Sequence, residues 1–255
     1  MGLNDPMNFI AGEVLGLTEL TAESAYEPLL IARTALVESQ RIGQEHDNDL
    51  AASLAETARI ALAKEIRRDI WEKAGENFHR IAHLTQEIES DSVGIWIDAL
   101  SRWDRIDSVE EAKTGKDPQI YRLVLCSPGG DLVSGMAFYS FLKGLTERRP
   151  VHISASGLCA SMATVIHQAG TVRLIERGCS YLIHEASSKI SGRSDTIHDQ
   201  AGWLAAMNDR LRQFLAEKSN LTAEEIKERS NRREWWLDEN EVVELGFADR
   251  IGYLQ

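Results

Sequence analysis

The chain has 255 residues, 43% of them hydrophobic, enough to bury the core of one large domain or of one domain with an extension. Its 40 acidic against 28 basic residues give a net charge of −12, which argues against a nucleic-acid partner. No apolar run reaches the roughly 18 residues of a membrane-spanning helix, so no membrane partner is expected.

The N-terminal stretch carries acids at Asp5, Glu13 and Glu19 and lacks the basic start of a secretory signal. Three cysteines, Cys126, Cys159 and Cys179, show no metal-ligand spacing. They sit among apolar or small residues and are expected to be reduced and buried, which suits a cytoplasmic protein.

Residues 1–20 have no clear period. Residues 22–40 turn helical, with Gly43 as a stop. Asp47 or Asn48 can cap a second helix, whose stripe runs Leu50, Leu54, Ala58, Ala61, Leu62, Ile66 and Ile70 until Gly75 ends it. That stripe must bury against the rest of the subunit, a neighbouring subunit or a dedicated partner. After Gly75 the texture changes. A short strand is expected over 80–85, a helix over 91–103, and a charged loop over 108–118. A buried strand follows over 121–126, then the turn Ser127-Pro128-Gly129-Gly130 and a helix over 132–145. A second buried strand over 151–155 leads to Ser161 and a short helix over 163–168. Short strands over 172–175 and 181–183, a long helix over 196–218 and a helix from Thr222 with a capping box to Glu225 complete the pattern. Alternating strands and helices argue an α/β fold with a largely parallel sheet.

Three places in this pattern can carry chemistry. Ser161 stands at a strand-to-helix turn, beside unpaired backbone N–H groups and the positive end of a helix, an environment that favours an oxyanion. It reads either as a nucleophile or as a helix cap. The pair Gly129-Gly130 reads either as a plain turn or as two N–H donors turned outward. His184 ends a short strand and reads either as a core histidine or as the base that takes the Ser161 proton. Its rivals are His152 early in a strand, His167 on the Ser161 helix and His198 on the long helix.

Taken in order, Ser127-Pro128-Gly129-Gly130, Ala160-Ser161-Met162-Ala163, Ile183-His184, the long helix after Gly192 and Leu245-Gly246-Phe247-Ala248-Asp249 resemble the ClpP family. That family comprises the proteolytic subunits of ATP-dependent proteases, within the ClpP/crotonase superfamily. The likeness covers residues 76–255 and leaves 1–75 as an N-terminal helical extension, where the family has only a short flexible segment. It implies a ClpP/crotonase-like β-β-α superhelix with a handle strand over 187–193 and a handle helix over 196–218. It implies Ser161 as nucleophile, His184 as base, and an oxyanion hole from the N–H groups of Met162 and Gly130, with Gly129 as the alternate. The family's third residue is an aspartate twelve residues before the glycine of the Leu-Gly pair; that position is Glu234 here. Asp238 is the alternative, and fits a helix N-cap equally well, while Glu234 could simply pair with Arg232 or Arg233.

The resemblance further implies a serine endopeptidase that hydrolyses unfolded polypeptides inside homo-oligomeric rings of seven, with an ATP-dependent unfoldase as partner and neither metal nor organic cofactor. Three other readings stand beside it. One is a crotonase-like acyl-CoA enzyme, one an inactive ring subunit, and one a Ser–Lys peptidase using Lys143 or Lys189.

Overall fold

A computed structural model describes residues 79–188 and 191–254. The two helices expected over 22–40 and 48–74, and Lys189, lie outside the described residues. The sheet and the site belong to one of the chain's two compact units, His79–Ile97 with Asp107–Gln255; residues 98–106 belong to the other.

Strand β1 (Ile81–Leu84) is followed by helix α1 (Ser90–Thr114), β2 (Tyr121–Ser127), α2 (Leu132–Thr146), β3 (Val151–Ala160), α3 (Met162–His167), β4 (Val172–Ile175) and β5 (Ser180–Ile183). Then come α4 (Ser194–Ala216), α5 (Ala223–Ser230), β6 (Trp235–Leu237), α6 (Glu239–Glu244) and β7 (Arg250–Ile251). The sheet runs β1-β2-β3-β4-β7, with β5 branching from β3 and β6 from β5. Among the described residues only the β5–β6 ladder is antiparallel. The expected α/β class with a largely parallel sheet is what the chain adopts.

Burial along β2 alternates with period two, with Tyr121, Leu123, Leu125 and Ser127 buried. Cys126 falls on the other phase and is half-buried, whereas Cys159 and Cys179 are buried; all three are free thiols. The expectation of three buried cysteines is therefore corrected at Cys126. Helix α2 covers the sheet with Phe138, Leu142 and Leu145, all fully buried, and the Trp96 ring of α1 meets Phe138 at 5.3 Å between centroids.

The charged stretch expected as a loop is helical as far as Thr114. Val109-Glu110-Glu111-Ala112-Lys113 contains strong helix formers, and the stop is Gly115 at φ 68°, whose N–H donates to Glu111 O. Tertiary contacts hold the extra turns. Asp107 pairs with Arg80 and accepts from the Tyr121 hydroxyl at 2.9 Å, while Glu111 pairs with Arg149 at 2.8 Å. The stretch expected as a handle strand carries no ladder at residues 187–188 or 191–193. Strands β6 and β7 went unread because three and two residues are too few to show a period.

Among the described residues, helix α4 packs through its C-terminal part. Leu215 is buried and Phe214 stacks on Tyr139 at 4.5 Å between centroids. Residues 194–203 are exposed, Trp203 to 50%.

Candidate active site

The glycine turn, Ser161 and His184 all follow the C-terminal ends of strands, where α/β sheets generally bind ligands. At the end of β2, Ser127 Oγ donates to Gln86 O at 2.6 Å and accepts the Gly129 N–H at 3.2 Å. Gly129 O accepts from Ile88 N, and Ile88 O accepts from Asp131 N, so one edge of the turn is tied to residues 86–88. The other edge lies against the nucleophile candidate. A Cβ on Gly129 would stand 2.6 Å from Ser161 Cβ, and one on Gly130 would stand 2.3 Å from Ile88 O. With φ of 96° and 146°, both positions need glycine. The N–H of Gly129 is taken by Ser127, whereas those of Gly130 and Met162 find no acceptor among the described residues.

Strand β3 serves three ladders. It pairs with β2 over 151–155 and again at Cys159 past a bulge, with β4 over 152–155 and with β5 over 158–160, and Gly157 at φ 62° lies where β4 gives way to β5. Ala160 pairs with Leu182, and the Ser161 N–H donates to Leu182 O at 2.9 Å. Ser161 is therefore level with Ile183, and His184 is the next residue along. Both line one open cleft of about 420 Å³, together with Gly130 and Met162.

Ser161 has φ 56° and ψ −125°, outside the regions that residues with a Cβ ordinarily occupy. Such a conformation costs on the order of 1–3 kcal/mol and persists only where the surroundings impose it. It is the sharp strand-to-helix turn that lifts a serine hydroxyl clear of the sheet. Ser161 occupies the N-cap position, yet its side chain makes no cap bond, and its hydroxyl is bonded to no described residue. The His184 ring likewise makes no hydrogen bond among the described residues.

The rival histidines are placed elsewhere. His198 is exposed on α4, and His152 is half-buried at the start of β3. His167 is fully buried, its Nε2 2.9 Å from Leu174 O and its Nδ1 3.4 Å from the Tyr181 hydroxyl. Burial lowers its pKa from 6.5 to about 4, with the carbonyl of Leu174 opposing and Arg173 adding to the fall. The unfolded chain then binds this proton first. Stability is full above pH 6.5 and is lost as pH falls towards 4, by on the order of 3 kcal/mol in total. His152, lowered by burial and by Arg122 and Arg250, adds to the same window. Urea unfolding at pH 7 and pH 4.5 is expected to show the loss, and His167→Gln, which keeps a donor for Leu174 O, to remove most of it.

The carboxylates are less simply arranged. In the β5–β6 ladder Ile183 pairs with Trp235, and one further step sets Glu234 against His184. Paired residues of antiparallel strands share a face. The Glu234 carboxylate turns instead to Trp236, accepting from Nε1 at 3.0 Å, and lines a separate recess with Arg229, Arg233 and Trp235. Asp238 is the N-cap of α6, accepting from the N–H groups of Asn240 and Glu241, and lines neither recess.

Two carboxylates that the sequence reading passed over do line the cleft. Asp131 caps α2, accepting from Ser134 N and Oγ, and these bonds hold its pKa below the usual value. Glu185 pairs with Arg212 at 2.9 Å. Asp131 was findable as the cap directly after the glycine pair; Glu185, Asn208 and Arg212 carry no signal until α4 is laid beside residues 184–188. Lys143 pairs with Glu217 at 4.0 Å, away from the cleft. Among the described residues no cluster of three metal-ligating side chains occurs, and no helix is long and apolar enough to cross a membrane.

A largely parallel α/β sheet thus carries a serine on a strained turn beside a glycine pair with an N–H to spare, and a histidine lines the same cleft. Comparison with known proteins gives the family. The Clp protease family profile matches residues 104–254, and the chain belongs to that family. It is 30% identical over 177 residues to the ATP-dependent Clp protease proteolytic subunit of Lactococcus lactis, covering 68% of this chain and 82% of that one. Proteolytic subunit 2 of Tropheryma whipplei is 32% identical over 131 residues, 51% of this chain and 71% of the relative. Proteolytic subunit 2 of Bifidobacterium longum is 29% identical over 131 residues, with 62% of its length matched.

Proposed function

We propose that the chain is a serine endopeptidase of the Clp type. The observation that carries this is the strained, uncapped Ser161 sharing a cleft with His184. His184 takes the Ser161 proton as the hydroxyl oxygen attacks a peptide carbonyl. The N–H groups of Gly130 and Met162 receive the oxyanion, and Gly129 holds the turn through Ser127. Glu234 swings from Trp236 to steady the imidazolium. His184 protonates the leaving amine, and water then releases the acyl group by the same route. No step calls on a metal or an organic cofactor.

Unfolded polypeptides are the proposed substrates, cut in a cytoplasmic chamber of stacked homo-oligomeric rings fed by an ATP-dependent unfoldase. The unpacked N-terminal half of α4 supports association between copies, since Trp203 at 50% exposure and Ile197 at 40% would otherwise face water. Residues 1–75 would form an extension to the protease domain over 76–255.

A fluorophosphonate probe on the full chain tests the chemistry. The expected adduct maps to Ser161, on a species several times the monomer mass. An adduct on another residue overturns the assignment. No adduct at all favours an inactive ring subunit, a reading suggested by the Glu234 carboxylate lying on Trp236.

A further inference from the structure

Residues 184–188 leave the sheet when β5 ends at Ile183, so their backbone groups lose ladder partners. One side chain replaces them. Asn208 Oδ1 accepts the Ala186 N–H at 2.8 Å, and Asn208 Nδ2 donates to Ala186 O at 3.2 Å. A primary amide offers an acceptor and a donor side by side, which is what the edge of a strand would offer. One helical turn on, on the same face of α4, Arg212 donates to Glu185 Oε1 at 2.9 Å and also pairs with Asp209. These are the hydrogen bonds that residues 185–188 make among the described residues. The stretch just after the base is thus tethered to α4, and Asn208 and Arg212 both line the cleft.

We infer that Asn208 is a positioning residue for His184, and that α4 sets the base as well as its own packing. His184 forms no hydrogen bond of its own to a described residue. Its placement is inherited from the Ile183 ladder on one side and the Ala186 clamp on the other. Arg212 supports the clamp by fixing Glu185. A displacement of about 1 Å in a reacting group lowers rate on the order of 10²-fold, so a single amide in this place can matter to turnover. The inference rests on Ser161 and His184 being nucleophile and base.

The test uses the full chain with a short fluorogenic peptide and the fluorophosphonate probe. Asn208→Ala is expected to lower kcat and the labelling rate together, by about 10- to 100-fold, with KM within about threefold of wild type. Asn208→Gln keeps both the donor and the acceptor and is expected to recover most of that loss. Thermal unfolding and solution mass should match wild type, which a general loosening of the subunit would not allow. If Asn208→Ala is too unstable to assay, Asn208→Ser, which cannot offer a donor and an acceptor side by side, is compared with Asn208→Gln and is expected to show the same loss. Labelling of Asn208→Ala at the wild-type rate, or an effect on KM alone, overturns this inference while leaving Ser161 in place. Absence of Ser161 labelling in the wild-type chain overturns the underlying reading instead.

Discussion

Replacing Ser161 with alanine is expected to abolish peptide cleavage and fluorophosphonate labelling, with a rate loss on the order of 10⁶-fold. That is about 8 kcal/mol of transition-state stabilisation. The size follows from the division of labour in the proposed mechanism, in which Gly130 and Met162 hold the oxyanion and Ser161 forms the acyl bond. A variant still labelled at the wild-type rate ends its candidacy. Glycine at the same position separates chemistry from strain. Ser161→Gly lacks the hydroxyl too, yet φ 56° with ψ −125° suits glycine far better than a residue with a Cβ. Ser161→Gly is therefore expected to be as inactive as Ser161→Ala but more stable by about 1–2 kcal/mol in chemical unfolding. Equal stability of the two would mean that the turn stores no strain.

The parts of this site that sequence made legible are those where local chemistry and position coincide. Gly129 and Gly130 announce a turn because only glycine tolerates it, and the collision distances around them give the reason. Ser161 and His184 end apolar runs, and in a parallel sheet the ends of strands converge. What no pattern could show is that β3 exchanges β4 for β5 along its length while keeping β2, which sets Ser161 level with Ile183 and one residue short of His184. Nor could it show that Gly129 spends its N–H on Ser127, whereas the Gly130 N–H finds no acceptor among the described residues. The extension of α1 to Thr114 was missed for another reason. A polar, charged run reads as loop until one sees Asp107 and Glu111 each holding a buried arginine. The Asn208 clamp is the extreme case, because its meaning depends entirely on a backbone segment 22 residues away.

Neutralising Glu234 is expected to have the second-largest effect. Glu234→Gln should lower kcat/KM on the order of 10⁴-fold, the loss typical when a triad carboxylate becomes an amide and the histidine loses its tautomer and counter-charge. The register of β5 and β6 supports this, since one step beyond Ile183 and Trp235 sets Glu234 against His184. The bond from Trp236 Nε1 opposes it by holding the carboxylate in the neighbouring recess. These two observations make Trp236→Phe decisive. If Glu234 must swing to the imidazole, removing the competing donor should leave kcat/KM unchanged or raise it. If the Trp236 bond were the purpose of Glu234, the same variant should lose activity. Asp238→Asn is the control: asparagine keeps the oxygen that accepts from Asn240 and Glu241, so no more than about 0.5 kcal/mol of stability is expected to go, with kcat/KM held within severalfold. A 10⁴-fold loss in Asp238→Asn with none in Glu234→Gln would move the role to Asp238. No large loss in either would leave Ser161 and His184 working as a dyad, with residues 185–186 and their Asn208 and Arg212 tethers doing the orienting that a third carboxylate does elsewhere.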